Sequence, residues 1–310
     1  MRALITGSYG FLGYSCAMDL LSKSWKVVGV DRVNNAISDK GDRIKNLCRW
    51  PGFQHVECDI SDMNTLRSMM NSHHFDTVIH FAGQYSKPHA TELIPRYCKS
   101  NLEGFMNVIE CARISGVGRF IYASSTFVED HVRPTSIYGL TKQFNEDAAY
   151  MYGAQFGMQT LGIRYGSTFG PWCRTDIGPY KTARRVLTGE RFPLQGGYFY
   201  KTAFLWSEDA IKMTVDVINK PLPSPTDNIV TFVMDDVRYD LFEMMRMMEA
   251  QLGKRARYRG TYINAGPGGV PEPQLEQVEK LLGYRPPTNM RTAVTKFCEW
   301  IEPRWKQGKI

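Results

Sequence analysis

The chain has 310 residues, 38 of them Lys or Arg and 31 Asp or Glu. That length can bury a full core in one large or two closely joined domains, and the composition is ordinary for a water-soluble fold without the ~18-residue apolar run of a membrane span or the form of a cleavable leader. The net charge of +7 suits an anionic partner, but the densest basic stretch, Lys254-Arg255-Ala256-Arg257-Tyr258-Arg259, is too short for a nucleic-acid stripe, while seven scattered cysteines without C-x-x-C and six unclustered histidines predict neither a disulfide framework nor a metal site and fit a reducing cytoplasm.

An apolar run, Ala3-Leu4-Ile5, leads directly into Thr6-Gly7-Ser8-Tyr9-Gly10-Phe11-Leu12-Gly13 and a helix over 12–22. A strand that feeds a glycine turn and opens a helix is a seat for a dinucleotide pyrophosphate. The first glycine makes the tight turn, the second lets the backbone approach the phosphates, and the third lets helix pack on strand, with the helix N-terminus facing the negative charge. The spacing is G-x-x-G-x-x-G. A second strand, 27–30, ends in Asp31, about twenty residues after the glycines, where a carboxylate takes both hydroxyls of an adenosine ribose. A 2′-phosphate would be repelled there, which favours NAD over NADP, although Arg32 beside it could pair with that phosphate.

Strands over 55–58, 77–81, 119–123 and 160–164 then alternate with helices over 63–71, 102–115 and 138–156, and His73-His74 read as a polar helix end. This alternation predicts an α/β fold, a doubly wound parallel sheet with ligands at the strands' C-terminal ends. Asp59-Ile60 follow the third strand and could meet the adenine, while Phe81-Ala82-Gly83 end the next strand in small residues that let backbone approach the cofactor. Ser124, Ser125 and Thr126 put hydroxyls at another strand end. In Tyr138-Gly139-Leu140-Thr141-Lys142, positions i and i+4 share a helix face, so an ammonium can stabilise a phenolate whose free pKa is roughly 10.

After residue 164 the pattern changes to Gly170-Pro171, Gly178-Pro179, Gly196-Gly197 and the prolines of 221–225, with helices over 211–219, 239–252 and 275–283. The expected division is a nucleotide-binding domain over 1–165, revisited around 198–220, and a smaller lobe over most of 166–310 that closes over the cofactor and contacts substrate.

These stretches together resemble the extended short-chain dehydrogenase/reductases that modify nucleotide sugars, and among them UDP-glucuronate 4-epimerases. The resemblance is carried by residues 6–13, Val30-Asp31, Cys58-Asp59-Ile60, His80 to Gln84, Ser100 to Phe105, Tyr122 to Ser125, Tyr138 to Lys142, Arg164 to Arg174 and Gly283-Tyr284-Arg285-Pro286. It implies a Rossmann-like sheet with a smaller C-terminal substrate-binding lobe. NAD would be held by Gly7, Tyr9, Gly10, Phe11, Leu12, Gly13, Asp31, Arg32, Asp59, Ile60, Phe81, Ala82, Gly83, Gln84 and Asn101, with Lys142 on the nicotinamide ribose. Tyr138 would be general base and acid, and Ser125 the catalytic hydroxyl supported by Ser124 and Thr126. Gln84, Ser125, Thr126 and Lys201 would meet the nucleotide sugar, and Arg174 with Ser167 would hold a uronate carboxylate. Arg174 in a structural salt bridge or on phosphate is the competing reading. A homodimer through helices 102–115 and 138–156 is also implied.

Thr126 and Phe127 stand where related dehydratases carry Asp-Glu and related decarboxylases a Glu, so the resemblance implies epimerisation, with Glu129 a possible substitute acid. Only nine residues separate Val128 from Tyr138, where the family has a longer loop. Glu129-Asp130 replace a Tyr-Gly, Pro88 an arginine, Thr202-Ala203-Phe204 an Arg-Asp-Phe, and Gly269 an aspartate. These departures fall on substrate contacts. They leave open a dehydratase, decarboxylase or reductase acting on a UDP-, GDP- or CDP-linked sugar, and a non-catalytic NAD- or RNA-binding scaffold.

Overall fold

Seven apolar segments line up as one parallel sheet, and the alternation of side chains along them builds a separate core on each face. The computed structural model describes residues 1–33, 40–85, 91–128, 136–193, 200–224, 227–259 and 275–308. In chain order its first half contains β1 (Arg2–Thr6), α1 (Phe11–Ser22), β2 (Lys26–Asp31), α2 (Lys40–Leu47), β3 (Phe53–Glu57), α3 (Met63–Asn71) and β4 (Thr77–His80). Next, α4 (Ile94–Tyr97) runs through a π-helical turn (Cys98–Glu103) into α5 (Gly104–Ile114), followed by β5 (Arg119–Ser125), α6 (Ile137–Phe156) and β6 (Thr160–Tyr165). The second half has β7 (Ser167–Phe169), α7 (Gly178–Thr188), β8 (Arg191–Pro193), β9 (Phe204–Trp206), α8 (Ser207–Ile218) and β10 (Ile229–Phe232). It ends with α9 (Leu241–Leu252), β11 (Arg257–Arg259), α10 (Leu275–Leu282) and α11 (Met290–Lys306).

The strand order is β10-β6-β5-β4-β1-β2-β3, all parallel. The direction of winding reverses between β1 and β4, which opens a crevice at the strands' C-terminal ends. Period two divides the side chains. Ala3, Ile5, Ile79 and Ile121 enter the core under α1 and α8, while Leu4, Val78, Phe120 and Tyr122 enter the core with α3, α5 and α6.

A second lobe packs α7, α9 and α11 around Phe169, Trp206 and Phe297, with β7 paired to β9 and β8 to β11. The chain crosses into it at Gly166, whose N–H donates to the Phe232 carbonyl, and a Cβ there would stand 2.8 Å from the Ala203 oxygen. Arg43, only 2% exposed, ties the lobes by donating from Nε to the Tyr9 carbonyl at 2.8 Å and from Nη1 to the Trp172 carbonyl at 3.2 Å.

Several elements differ from expectation. The third strand is Phe53–Glu57, and the helix expected over 102–115 belongs to a longer run that starts at Ile94. Helices α2, α7 and α11 were not anticipated. Gly178-Pro179 looked like loop punctuation, but a proline in the first turn of α7 fits a helix start because its missing N–H has no partner to lose there. The return to the first domain also reaches further than 198–220. There α8 packs on α1, β10 adds the edge strand, and Val278 and Leu282 of α10 join the same core. Gly196-Gly197 and Pro225 lie outside the described residues. Among the described residues no helix is long and apolar enough to cross a membrane.

At Gly13 a Cβ would lie 2.1 Å from the Gly7 carbonyl oxygen, so any side chain pushes α1 off the turn. Gly13→Ala is therefore expected to destabilise the fold by about 1–3 kcal/mol, the usual cost of overpacking a rigid contact. Chemical denaturation measures it, and a midpoint equal to wild type would contradict this packing.

Candidate functional site

The C-terminal ends of β1, β2, β4 and β5 face the second lobe across a cleft of about 1180 Å³. Sites for one small molecule span roughly 300–1,000 Å³, so this cleft has room for two ligands side by side. At one end lies the glycine turn. Gly7 has φ +71° and a Cβ on it would stand 2.8 Å from the Ala82 nitrogen, which brings the turn against the end of β4. Gly10 caps α1 with no side-chain acceptor, so the first-turn N–H groups face the cleft rather than a cap. Backbone donors, a helix N-terminus and the lack of a Cβ at Gly7 and Gly10 fit a pyrophosphate.

Asp31 ends β2 with both carboxylate oxygens engaged. One accepts from the Tyr9 N–H at 2.9 Å and the other from Lys40 Nζ at 2.9 Å. Lys40 is nearly buried and also donates to the Arg32 carbonyl. Arg32 itself turns to Asp59 at 3.3 Å, which satisfies its charge away from Asp31. Burial works against the Asp59 charge, but bonds from the Ser61 N–H and hydroxyl, with Arg32 nearby, hold its carboxyl below the usual range. Ile60, Phe81, Ala82, Gly83 and Gln84 line the same wall, as do Phe11 and Leu12.

Asn101 is placed differently from its expected cofactor role. It is buried behind the wall and does not line the cleft. Its Oδ1 accepts from the Gln84 N–H at 2.6 Å, and its Nδ2 donates to the Gln84 carbonyl and the Thr141 hydroxyl, each at 3.0 Å. Asn101 therefore clamps the segment after β4 to α6, and the π-helical turn carries it there.

Tyr138, Lys142 and Glu146 occupy one face of α6, which starts at Ser136 because that hydroxyl accepts from the Gly139 N–H. Lys142 Nζ donates to the Ala123 carbonyl at 2.7 Å and lies 5.7 Å from the centre of the Tyr138 ring. Burial pulls the Lys142 ammonium down to about 8, and Glu146 pulls it back up. Burial pushes the Tyr138 phenol up to about 12, while the Ser125 hydroxyl and the Arg174 charge pull the other way.

The three expected hydroxyls separate. Ser125 is the hydroxyl that helps lower the Tyr138 phenol, and it accepts from the Phe127 N–H at 3.2 Å. Ser124 donates to Glu146, Thr126 donates to the Tyr165 carbonyl at 3.5 Å, and all three line the cleft. Arg164 holds Glu146 from the other side with two bonds, 2.8 and 2.6 Å. Glu146 was missed in the sequence, although its place four residues after Lys142 was the available signal.

Across the cleft stand Ser167, Arg174 and Lys201. The Ser167 and Thr202 hydroxyls are 3.3 Å apart, and Lys201 Nζ donates to Glu243 at 3.0 Å. Arg174 donates from Nε to Asp176 at 2.8 Å, so the salt-bridge reading holds for one edge of the guanidinium. Among the described residues its Nη atoms have no hydrogen-bond partner, which leaves the other edge open to a ligand. Pro88, Glu129, Asp130 and Gly269 lie outside the described residues.

A family model described as "NAD dependent epimerase/dehydratase family" matches residues 3–230. Similar sequences include Protein CapI of Staphylococcus aureus, 26% identical over 99% of this chain and 100% of that protein. Another is UDP-glucuronate 4-epimerase 4 of Arabidopsis thaliana, 26% identical over 97% of this chain and 75% of that protein. The fold is shared with UDP-glucuronic acid 4-epimerase from Bacillus cereus, solved in complex with UDP-glucuronic acid and NAD. The TM-score is 0.87 at 21% identity, over 98% of this chain and 99% of that one.

The depressed Lys142 value has a sign that can be measured. Between about pH 8 and the ordinary lysine value of 10.5, the unfolded chain holds a proton at Lys142 that the folded chain lacks, so the folded state gains stability as pH rises. Lys142→Met should remove this rise. Relative to the variant, wild type should gain on the order of 1–2 kcal/mol between pH 7.5 and 9.5, read by chemical denaturation. A constant difference would mean that Lys142 titrates as a solvated lysine.

Proposed function

Because the chain belongs to the NAD-dependent epimerase/dehydratase family, we propose that it is an NAD-dependent nucleotide-sugar 4-epimerase acting on UDP-glucuronate or a related uronate. The observation that carries this reading is the placement of Tyr138, Lys142 and Ser125 in one cleft with a dinucleotide cradle at one end and the open edge of Arg174 at the other.

Gly7, Gly10 and Gly13 would receive the NAD pyrophosphate, and Asp31 with Lys40 the adenosine ribose. Asp31 disfavours a 2′-phosphate, and Arg32 is occupied by Asp59, so NAD suits this end better than NADP. NAD held there would supply the hydride acceptor for C4 of the sugar and the hydride donor for the keto sugar once it has turned its other face. Tyr138 accepts the C4 hydroxyl proton as the 4-keto sugar forms and gives it back as the sugar is reduced, so no net redox change occurs. Lys142 keeps a positive charge beside the developing phenolate, and Ser125 orients it.

A 4-keto uronate is a β-keto acid. If its carboxylate rotates out of plane, the C5–C6 bond breaks, carbon dioxide leaves, and the electron pair passes into the C4 carbonyl as an enolate that is then protonated. Arg174 and Ser167 would hold the carboxylate against that rotation. Thr126 bonds a backbone carbonyl and Phe127 has no acid, so neither serves dehydration at the neighbouring carbons.

A homodimer is part of the proposal. Ile137, Leu140 and Phe144 form an exposed apolar stripe on α6, with Leu140 55% exposed, and Ile114 at the end of α5 is also exposed. Two copies packed through α5 and α6 would cover these residues.

Incubation with a panel of nucleotide sugars, read by NMR, should give the C4 epimer of a UDP-uronate. A dehydrated or decarboxylated main product would overturn the epimerase reading. Tyr138→Phe should keep NAD bound and the fold intact while turnover falls by roughly 10²- to 10⁴-fold, and near-normal turnover would remove Tyr138 from the mechanism. For the dimer, light scattering should report two chains for wild type and one for the Leu140→Glu, Phe144→Glu double variant. A monomeric wild type would end that part of the proposal.

A further inference from the structure

The ring of Tyr85 lies flat beneath the arginine that faces the substrate. The Arg174 Cζ stands 3.4 Å from the Tyr85 ring centre, close enough for the guanidinium plane to stack on the π-face. Burial and the neighbouring Asp176 carboxylate push the Tyr85 hydroxyl above the ordinary phenol value, which places that carboxylate beside the hydroxyl. Asp176 in turn accepts from Arg174 Nε. Tyr85, Arg174 and Asp176 therefore close a ring of contacts in which each member holds the other two.

The platform is itself anchored. The Tyr97 hydroxyl donates to the Tyr85 carbonyl at 2.9 Å, and the preceding residue, Gln84, is clamped at both its N–H and its carbonyl by the buried Asn101. Tyr85 thus has a fixed backbone, a ring used by Arg174 and a hydroxyl beside Asp176.

Left alone, an arginine beside an aspartate prefers a two-bonded fork-to-fork pair, which uses the same edge that a substrate carboxylate would need. Here Asp176 receives a single bond from Nε. The ring fixes the guanidinium plane, and the tyrosine hydroxyl competes for the aspartate. Both effects keep the pair one-bonded and leave the Nη edge open toward the cleft.

We propose that Tyr85 is a specificity-determining positioning residue, which holds Arg174 in a one-bonded pair with Asp176 so that its free edge meets the carboxylate of a sugar-acid substrate. This rests on the uronate reading above. Tyr85 acts through Arg174, and its effect falls on ligands that carry the carboxylate.

The test compares binding of UDP-glucuronate and UDP-glucose in the Tyr138→Phe background, where turnover does not interfere. Tyr85→Ala should weaken UDP-glucuronate by between about twofold and thirtyfold, the range of a cation–π contact from exposed to desolvated, and leave UDP-glucose unchanged. Tyr85→Phe keeps the ring and should recover most of the loss. Tyr85→Leu fills similar space without a π-face and should behave like Tyr85→Ala, which covers the case in which the alanine variant does not fold. The Tyr85→Ala, Arg174→Ala double variant should bind no worse than Arg174→Ala alone. In enzyme with Tyr138 intact, Tyr85→Ala should release a larger share of 4-keto pentose nucleotide, seen by mass spectrometry. If Arg174→Ala removes the preference for UDP-glucuronate while Tyr85→Ala and Tyr85→Leu do not, Tyr85 has no positioning role and the uronate reading stands. If Arg174→Ala weakens both ligands equally, Arg174 is on the phosphates and the uronate reading fails with it.

Discussion

A buried lysine charge is the constraint on which the reaction centre depends. Lys142 is nearly excluded from water, and an ammonium there is tolerated only with fixed partners around it. The Ala123 carbonyl takes one donor, and Glu146 stands four residues along the same helix face. Glu146 is itself buried and therefore needs Arg164 and the Ser124 hydroxyl. These contacts bind α6 to the ends of β5 and β6, which is how Tyr138 comes to sit beside Ser125. The cluster carries two cations and one carboxylate, so it leaves positive charge where a phenolate would form.

The second dependency is on close backbone approach. The glycine turn touches the end of β4 at Ala82, and α1 touches the turn at Gly13, so the first helix, the turn and the small residues after β4 are packed with no room for a side chain at either glycine. The second lobe meets this unit through Arg43 and through Phe11, which leaves the glycine turn to pack against the second core. A cleft that must hold two ligands at a fixed mutual distance requires such stiffness, because an error of about an ångström in placing reacting atoms can cost ~10²-fold in rate.

Much of this was legible from residue spacing. Strongly periodic strands and helices in the first 165 residues show clearly because the sheet is buried on both faces, and the i, i+4 placement of Tyr138 and Lys142 needs only a helix to acquire meaning. What was hidden depends on contacts between distant segments. Helix α2 buries Lys40 and Arg43 beside Leu47 and the partly buried Ile44, so its apolar stripe is too short to stand out, and both basic residues at the ribose end went unread. Strand β10 is four residues long and lies among proline and loop signals, yet it pairs with β6 across more than sixty intervening residues. Asn101 carried the right motif for the cofactor wall, but a π-helical turn rotates it behind that wall. The Tyr85 ring has meaning only once Arg174 is above it.

Placing the cation of Arg174 near Tyr138 links recognition to chemistry. Its charge helps bring the phenol down from the high value that burial imposes. A substrate carboxylate on the open guanidinium edge would cancel much of that help, since Asp176 already neutralises the other edge. In the proposed reaction Tyr138 would still accept the proton, and Lys142, held by the Ala123 carbonyl and Glu146, would be the cation left beside its phenolate. The arrangement separates two tasks that opposite charges would otherwise set in conflict. Under that reading Arg174 would hold the anion, and Lys142 would be the charge that remains beside the phenol once the cleft is filled and water is excluded.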